Sequence, residues 1–206
     1  MLQYKTIEPA TLELLKVLQA LPLLKETRLV GGTALALQLG HRKSVDLDFF
    51  GDLAIPFEEI HQILAAQHDI TVIQKSKNIN IYEVDHVKID FVNYSYEWID
   101  DVILEEGVRL ASLKDIAAMK VTAIIGRGTK KDFIDLFYLL KYFSLEEILG
   151  FYQEKYPDGS MFLAMKSLSY FNDAEADPMP YMFTDDSWDY IKESIKKEVI
   201  NYVRRI

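Results

Sequence analysis

The chain has 206 residues, half of them hydrophobic, no cysteine, and a formal net charge of −9. That length and apolar share can bury a full core without covalent staples. The missing cysteines exclude disulfides, thiolate catalysis and cysteine-rich zinc sites, so any metal must sit on oxygen or imidazole. The acidic balance repels polyanions on average and confines nucleic-acid contact to local patches.

Residues 1–15 lack the basic start and unbroken apolar run of a signal peptide. No stretch approaches the roughly 20 apolar residues that span a bilayer. A cytoplasmic protein with no membrane partner is expected. Pro9 suits a first helical turn, and Leu12, Leu15, Leu18 and Leu21 recur at helical spacing after it. The stretch Arg28-Leu29-Val30 then leads into Gly31-Gly32-Thr33 and an apolar run that stops at Gly40. This reads as strand, tight turn, short capped helix and stop.

From Ser44 to Phe50 the pattern alternates. As a strand it places Ser44, Asp46 and Asp48 on one face and Val45, Leu47 and Phe49 on the other. A helix is predicted from Pro56 to Gln67. Strands follow at residues 70–76, 79–85 and 87–94, with turns at Lys77-Asn78 and Asp85-His86. From Ser112 the period becomes helical. Ser112 with Asp115 and Thr129 with Asp132 both resemble capping boxes. They open helices running to Gly126 and through Phe133, Ile134, Leu136, Phe137, Leu139 and Leu140. Further helices are predicted at Leu145–Lys155 and Asp186–Arg205. Residues 170–186, with Pro178 and Pro180, read as a long surface loop, of which Asn172 to Asp186 could act as a lid. The basic stretches Arg127–Lys131 and Lys192–Arg205 read as solvated helix faces.

The residues that carry chemistry lie between the first glycines and Asp90. Two carboxylates two apart on a strand project the same way, about 6–7 Å apart, and can share one cation or bridge two. Mg2+ or Mn2+ suits such a pair, because hard cations prefer oxygen and leave positions for substrate phosphates. Asp90 shares a strand face with Lys88 and Val92 and is the third candidate acid, near the nucleophile. Gly31, Gly32 and Thr33 offer a turn without side chains, backbone N–H groups and a helix amino-terminus that attracts anions. A lone Gly-Gly-Thr is ordinarily just a connection, and an acidic strand face is common. Their joint order, strand, Gly-Gly-Thr, one short helix, then Ser-x-Asp-x-Asp, is what points to nucleotide phosphates, with Ser44 on the same face. The four histidines are scattered without a ligand pair, and His41 and Arg42 read as loop residues bordering Ser44. The aromatic residues Tyr181, Phe183, Trp188 and Tyr190 read as packing or loop anchors.

The segment GGTALALQLGHRKSVDLDFF closely resembles the first motif of the AbiEii/AbiGii-type nucleotidyltransferases, toxins within the polymerase-beta-like nucleotidyltransferase superfamily. The later stretch LKDIAAMKVTAIIGRGTKKDFIDLFYLL resembles that family's later motifs. The resemblance implies that Lys120, Arg127, Asp132 and Asp135 help bind the nucleotide and complete the site. Lys131 stands where the family often has arginine. Lys120 and Arg127 are two helical turns apart and therefore share a face, and Asp132 and Asp135 are neighbours on the next helix. The ordinary structural alternative is a helix cap at Asp132 and a surface ion pair between Lys131 and Asp135.

The expectation is an α/β (α+β) nucleotidyltransferase fold. A small mixed sheet flanked by helices forms a catalytic core at residues 1–110, and a helical carboxyl-terminal region at 111–206 completes the nucleotide cleft. Asp46, Asp48 and Asp90 are the expected metal ligands and, with Lys120 and Asp135, the catalytic residues. Gly31, Gly32, Thr33, Ser44, Lys120, Arg127 and Asp132 are expected to bind nucleotide. The expected function is metal-dependent transfer of an NMP from an NTP to an acceptor hydroxyl. The resemblance implies RNA such as tRNA as acceptor and an antitoxin partner. A small-molecule or protein acceptor, and a non-catalytic partner-binding module on the same fold, are the alternatives.

Overall fold

The computed structural model describes residues 1–53 and 57–205. They divide into two compact units. The first comprises Met1–Gly40, Ser44–Ser95 and Val102–Ala111, and the second His41–Lys43, Tyr96–Asp101 and Ser112–Ile206.

The first unit opens with α1 (Pro9–Ala20), which buries Thr11, Leu14, Leu15 and Leu18. Its inward stripe is therefore rotated from the leucine spacing in the sequence: Leu12 and Leu21 are only half-buried. β1 (Thr27–Leu29) runs into α2 (Gly31–Leu39), so the two glycines form the first helical turn. Gly40 ends α2 in the left-handed conformation at φ 71°, donating its N–H to Ala36 O at 2.8 Å, a conformation that costs glycine nothing.

β2 (Leu47–Gly51) alternates buried and half-buried residues, as a strand covered on one face must. It begins one residue after Asp46, which the alternation had placed inside the strand. Val45, expected on the apolar face, is 52% exposed. The reason is local: the chain from Lys43 to Asp46 is held by individual bonds and not by a ladder, Ser44 N donating to Thr6 O at 2.9 Å.

α3 (Phe57–Ala65) follows; Pro56, where a helix was expected to begin, lies outside the described residues. Three antiparallel strands come next, β3 (Ile70–Lys75), β4 (Ile79–Val84) and β5 (Val87–Asn93). The β4–β5 turn puts Asp85 at φ 49° and His86 at φ 67°, and two positive φ values in a two-residue loop match the right-handed twist of the strands. The same device at Glu106 and Gly107, φ 53° and 82°, closes a hairpin of β6 (Ile103–Glu105) and β7 (Val108–Leu110) that periodicity does not reveal. Three-residue strands are too short to show alternation.

The seven strands form one mixed sheet in the order β3-β4-β5-β2-β1-β7-β6. β2 is central, parallel to β5 and antiparallel to β1. Leu47, Phe49, Ile89 and Phe91 are fully buried on one face, with the Phe49 and Phe91 rings stacked at 5.5 Å.

The second unit is helical: α4 (Leu113–Gly126), α5 (Lys130–Leu139), α6 (Leu145–Lys155), α7 (Met161–Ser167) and α8 (Trp188–Val203). α7 was not foreseen; two turns give periodicity too little length, although Ser160 caps it through Leu163 N at 3.2 Å. Ser112 caps α4, accepting from Asp115 N at 3.0 Å. Thr129 makes no such cap; its hydroxyl donates to the Asp132 carboxylate at 2.7 Å. No helix among the described residues is long and apolar enough to cross a membrane.

The expected loop at Asn172–Asp186 is tied down at several points within its unit. Lys43 N donates to Tyr181 O at 2.8 Å, Phe183 N to His41 O at 2.9 Å, and Lys130 N to the Asp177 carboxylate at 2.9 Å. Trp188 packs edge-on against Phe133 and Phe171, which anchors the start of α8.

Candidate active site

In the first unit Asp48 and Asp90 meet across β2 and β5 as register partners on these parallel strands, so their side chains leave the same face of the sheet. Leu47, Phe49, Ile89 and Phe91 take the other face, and that burial fixes the register, since a slip of one residue would turn the acids into the core. Asp48 lies against the amino-terminus of α2: a Cβ added to Gly31 would overlap its Oδ2. Gly31 also sits at φ 67°, so both conformation and closeness demand glycine here.

Thr33 was expected to offer its hydroxyl to a nucleotide. It is 1% exposed instead, and its Oγ1 donates to the carbonyl of Asp46 and lies 2.9 Å from Ser44 Oγ. Ser44 is likewise buried. Both hydroxyls therefore fix the backbone that carries Asp46. Asp90 does not wait as a lone carboxylate; Lys88 Nζ donates to it at 2.6 Å.

The second unit holds a buried ionic network. Asp135, on α5, is 0% exposed and accepts four hydrogen bonds. Arg42 Nε and Nη2 reach Oδ1 and Oδ2 at 2.7 and 2.8 Å, His41 Nε2 reaches Oδ1 at 2.8 Å, and Lys120 Nζ reaches Oδ2 at 2.6 Å. Asp132, one turn earlier and also 0% exposed, is matched to its own set of donors. Lys120 lies 3.0 Å and Arg127 Nη2 3.1 Å from Oδ1, while Arg127 Nε lies 2.9 Å and Thr129 Oγ1 2.7 Å from Oδ2.

Electrostatics follow from these partners. Burial alone would raise Asp135, but Arg42 and then Lys120 outweigh it and hold the carboxyl well below the usual range. Asp132 is lowered in the same way, burial being overcome by Lys120 and Arg127. Burial pulls Lys120 down, yet Asp135 and Asp132 together leave it raised. For His41 burial wins over the Asp135 hydrogen bond and lowers the imidazole, so it stays neutral at pH 7.

A sequence model of the family described as nucleotidyl transferase AbiEii toxin, type IV TA system, matches residues 13–199. The chain belongs to the AbiEii family. It is thus a toxin-type nucleotidyltransferase. An uncharacterized protein of Aquifex aeolicus is 32% identical over 197 residues, covering 93% of this chain and 95% of that one. The fold is similar to that of JHP933 from Helicobacter pylori (TM-score 0.62, 19% identity, 97% of this chain and 94% of that one). It is also similar to that of MenT4, a nucleotidyltransferase toxin of Mycobacterium tuberculosis (TM-score 0.53, 17% identity, 91% and 83%).

Against this AbiEii background the expected residues divide. Asp48, Asp90 and Gly31 come together in the first unit, with Asp46 two residues before Asp48. Among the described residues, however, no group of three or more histidines and acids is gathered to hold a metal ion, and Asp90 is paired with Lys88. The donor chemistry still fits: Mg2+ is ordinarily held by one or two protein carboxylates, with water and substrate phosphates completing its shell, and Asp46 and Asp48 supply two.

In the second unit Lys120, Asp132 and Asp135 do converge. The two acids are saturated, each carboxylate having about four acceptor positions, so in this structure both anchor the cations around them. The surface pair Lys131–Asp135 does not form. Arg127, at the end of α4, keeps a side chain 66% exposed.

Sequence reasoning set aside His41 and Arg42 and missed Asp115–Lys155. Asp115 and Lys155 are both fully buried in their side chains and paired at 2.8 Å, with Asp115 also accepting from Ile99 N at 2.9 Å and Ser112 Oγ at 2.6 Å. Lys155 reaches Glu97 O at 2.8 Å. This pair fastens residues 96–101 to the helices of its unit, a structural role.

Proposed function

We propose that the chain transfers an NMP from an NTP to an acceptor hydroxyl in RNA such as tRNA, as a toxin with a neighbouring antitoxin. The observation that carries the reading is Asp48: its carboxylate rests against Gly31 at the amino-terminus of α2 and is in register with Asp90. A helix amino-terminus attracts phosphate, and a carboxylate held against one would be placed to hold a divalent cation that neutralises phosphate charge.

Asp46 and Asp48 would hold Mg2+ or Mn2+, which would lower the pKa of the attacking hydroxyl and neutralise charge on the leaving pyrophosphate. The hydroxyl oxygen forms a bond to the α-phosphorus as the bond from that phosphorus to the β-phosphate bridge breaks. The hydroxyl proton passes to a carboxylate, for which Asp90 is our assignment. The backbone of Gly31 and Gly32 receives phosphate oxygens, while Thr33 and Ser44 keep Asp46 in place. Lys120 and Arg127 carry the phosphate contacts of the helical unit. The AbiEii family supports the toxin character and the nucleotidyl transfer; RNA is our assignment of the acceptor.

The test is an acceptor screen with each α-labelled NTP and Mg2+. Label on RNA, absent with Asp48→Asn, is the expected result. Label on a small molecule or on protein would replace the acceptor and keep the chemistry. No transfer to any acceptor class, together with a cellular effect that survives Asp48→Asn, would leave the fold as a partner-binding module.

A further inference from the structure

The helical unit poses an electrostatic problem that Lys120 alone does not solve. Its ammonium lies between two buried carboxylates, Asp132 at 3.0 Å and Asp135 at 2.6 Å. One cation between two anions carries a net negative charge, which would repel a triphosphate. Arg127 cancels Asp132. What cancels Asp135 is Arg42, whose planar fork meets both carboxylate oxygens at 2.7 and 2.8 Å, with Arg42 itself only 2% exposed. Bidentate pairing of this kind fixes orientation as well as charge. His41, uncharged, fills the last acceptor position on Asp135.

We propose that Arg42 is a positioning residue for nucleotide binding: it neutralises Asp135, so that Lys120, itself only 4% exposed, keeps an uncompensated positive charge for the phosphate. An ammonium has three donors, and two of those on Lys120 go to Asp132 and Asp135. Arg42 thereby spares Lys120 the charge of Asp135. The inference rests on the reading that Lys120 binds nucleotide phosphate.

The experiment is calorimetric titration of Mg–NTP into wild type, Lys120→Met, Arg42→Met, Asp135→Asn and the Arg42→Met/Asp135→Asn double variant, each checked for folding by circular dichroism. Arg42→Met weakens binding on the order of tenfold or more, because a buried anion is left beside the phosphate contact. Asp135→Asn leaves binding unchanged or tighter. The double variant returns to within about threefold of Asp135→Asn, because with the acid gone the arginine has nothing to neutralise. A residue that only held the fold together would not be made dispensable in this way. If Arg42→Met does not fold, the comparison of the double variant with Asp135→Asn decides alone.

The proposal is overturned if the folded double variant binds on the order of tenfold more weakly than Asp135→Asn, if folded Arg42→Met binds as wild type does, or if Asp135→Asn itself weakens binding. Wild-type binding by Lys120→Met would instead remove the phosphate reading on which the inference rests, and that result is visible separately.

Discussion

Replacing Gly31 by alanine separates the cost of a strained backbone from the cost of a displaced carboxylate. At φ 67° an L-residue pays roughly 1–2 kcal/mol. For a protein of this size each kcal/mol lowers Tm by about 2–4 °C, so a fall of roughly 2–8 °C is expected. The new methyl group also overlaps the Asp48 carboxylate, the far end of a side chain that can swing aside. Stability therefore drops modestly, while Mg2+-dependent NTP binding falls as far as it does in Asp48→Asn. Gly126→Ala is the control: it ends α4, a Cβ there meets nothing, and the change is neutral or stabilising by up to about 1 kcal/mol. Scanning calorimetry gives the first quantity and titration of Mg–NTP the second. Gly31→Ala with wild-type Tm and wild-type affinity would refute the argument.

Lys155→Met strands the buried Asp115 carboxylate and should cost about 3–5 kcal/mol in urea unfolding; Asp115→Asn/Lys155→Met should recover most of it, and an equal loss in both would show that the ion pair is not the cause. Thr33→Val keeps the shape but removes the hydroxyl that bonds the Asp46 carbonyl. It should cost on the order of 1 kcal/mol of stability and weaken Mg–NTP binding, whereas unchanged binding would detach Thr33 from the placement of Asp46. Asp115, Asp132 and Asp135 all have lowered carboxyl groups. A depressed acid stabilises the fold above its unfolded value, about 3.9, and loses that contribution as pH falls toward the folded value. The buried neutral His41 adds a shallower loss that begins as pH falls below the unfolded histidine value, about 6.5, so the urea midpoint should be flat only above about pH 7 and drop most steeply below about pH 4; a midpoint at pH 3 equal to that at pH 7 would contradict the network.

The parts of the fold that were legible are those with long, regular patterns. The alternation through Leu47, Asp48 and Phe49, and through Ile89, Asp90 and Phe91, located the central strands and put both acids on one face, because a half-covered strand must alternate. What escaped was short or distant in sequence. The hairpin at Ile103–Leu110 is too brief for periodicity, and its only signal is the Glu106-Gly107 pair between two three-residue segments that each carry one charge among two apolar residues. The partners of Asp135 lie 93 and 94 residues away at Arg42 and His41. Nothing local in a His-Arg pair says that it will be buried and will neutralise an acid on a helix far along the chain. Asp46 fell outside β2 because side-chain bonds from Thr33, and not a ladder, fix its backbone.

The claim that Asp46 and Asp48 form the cation-dependent nucleotide site is tested most directly by titrating ATP, GTP, CTP and UTP, each with Mg2+, into wild type and Asp46→Asn/Asp48→Asn. Binding of at least one nucleotide that requires Mg2+ in the wild type and disappears in a folded double variant is the predicted result. Equal binding by both proteins, or binding that ignores Mg2+, would contradict it.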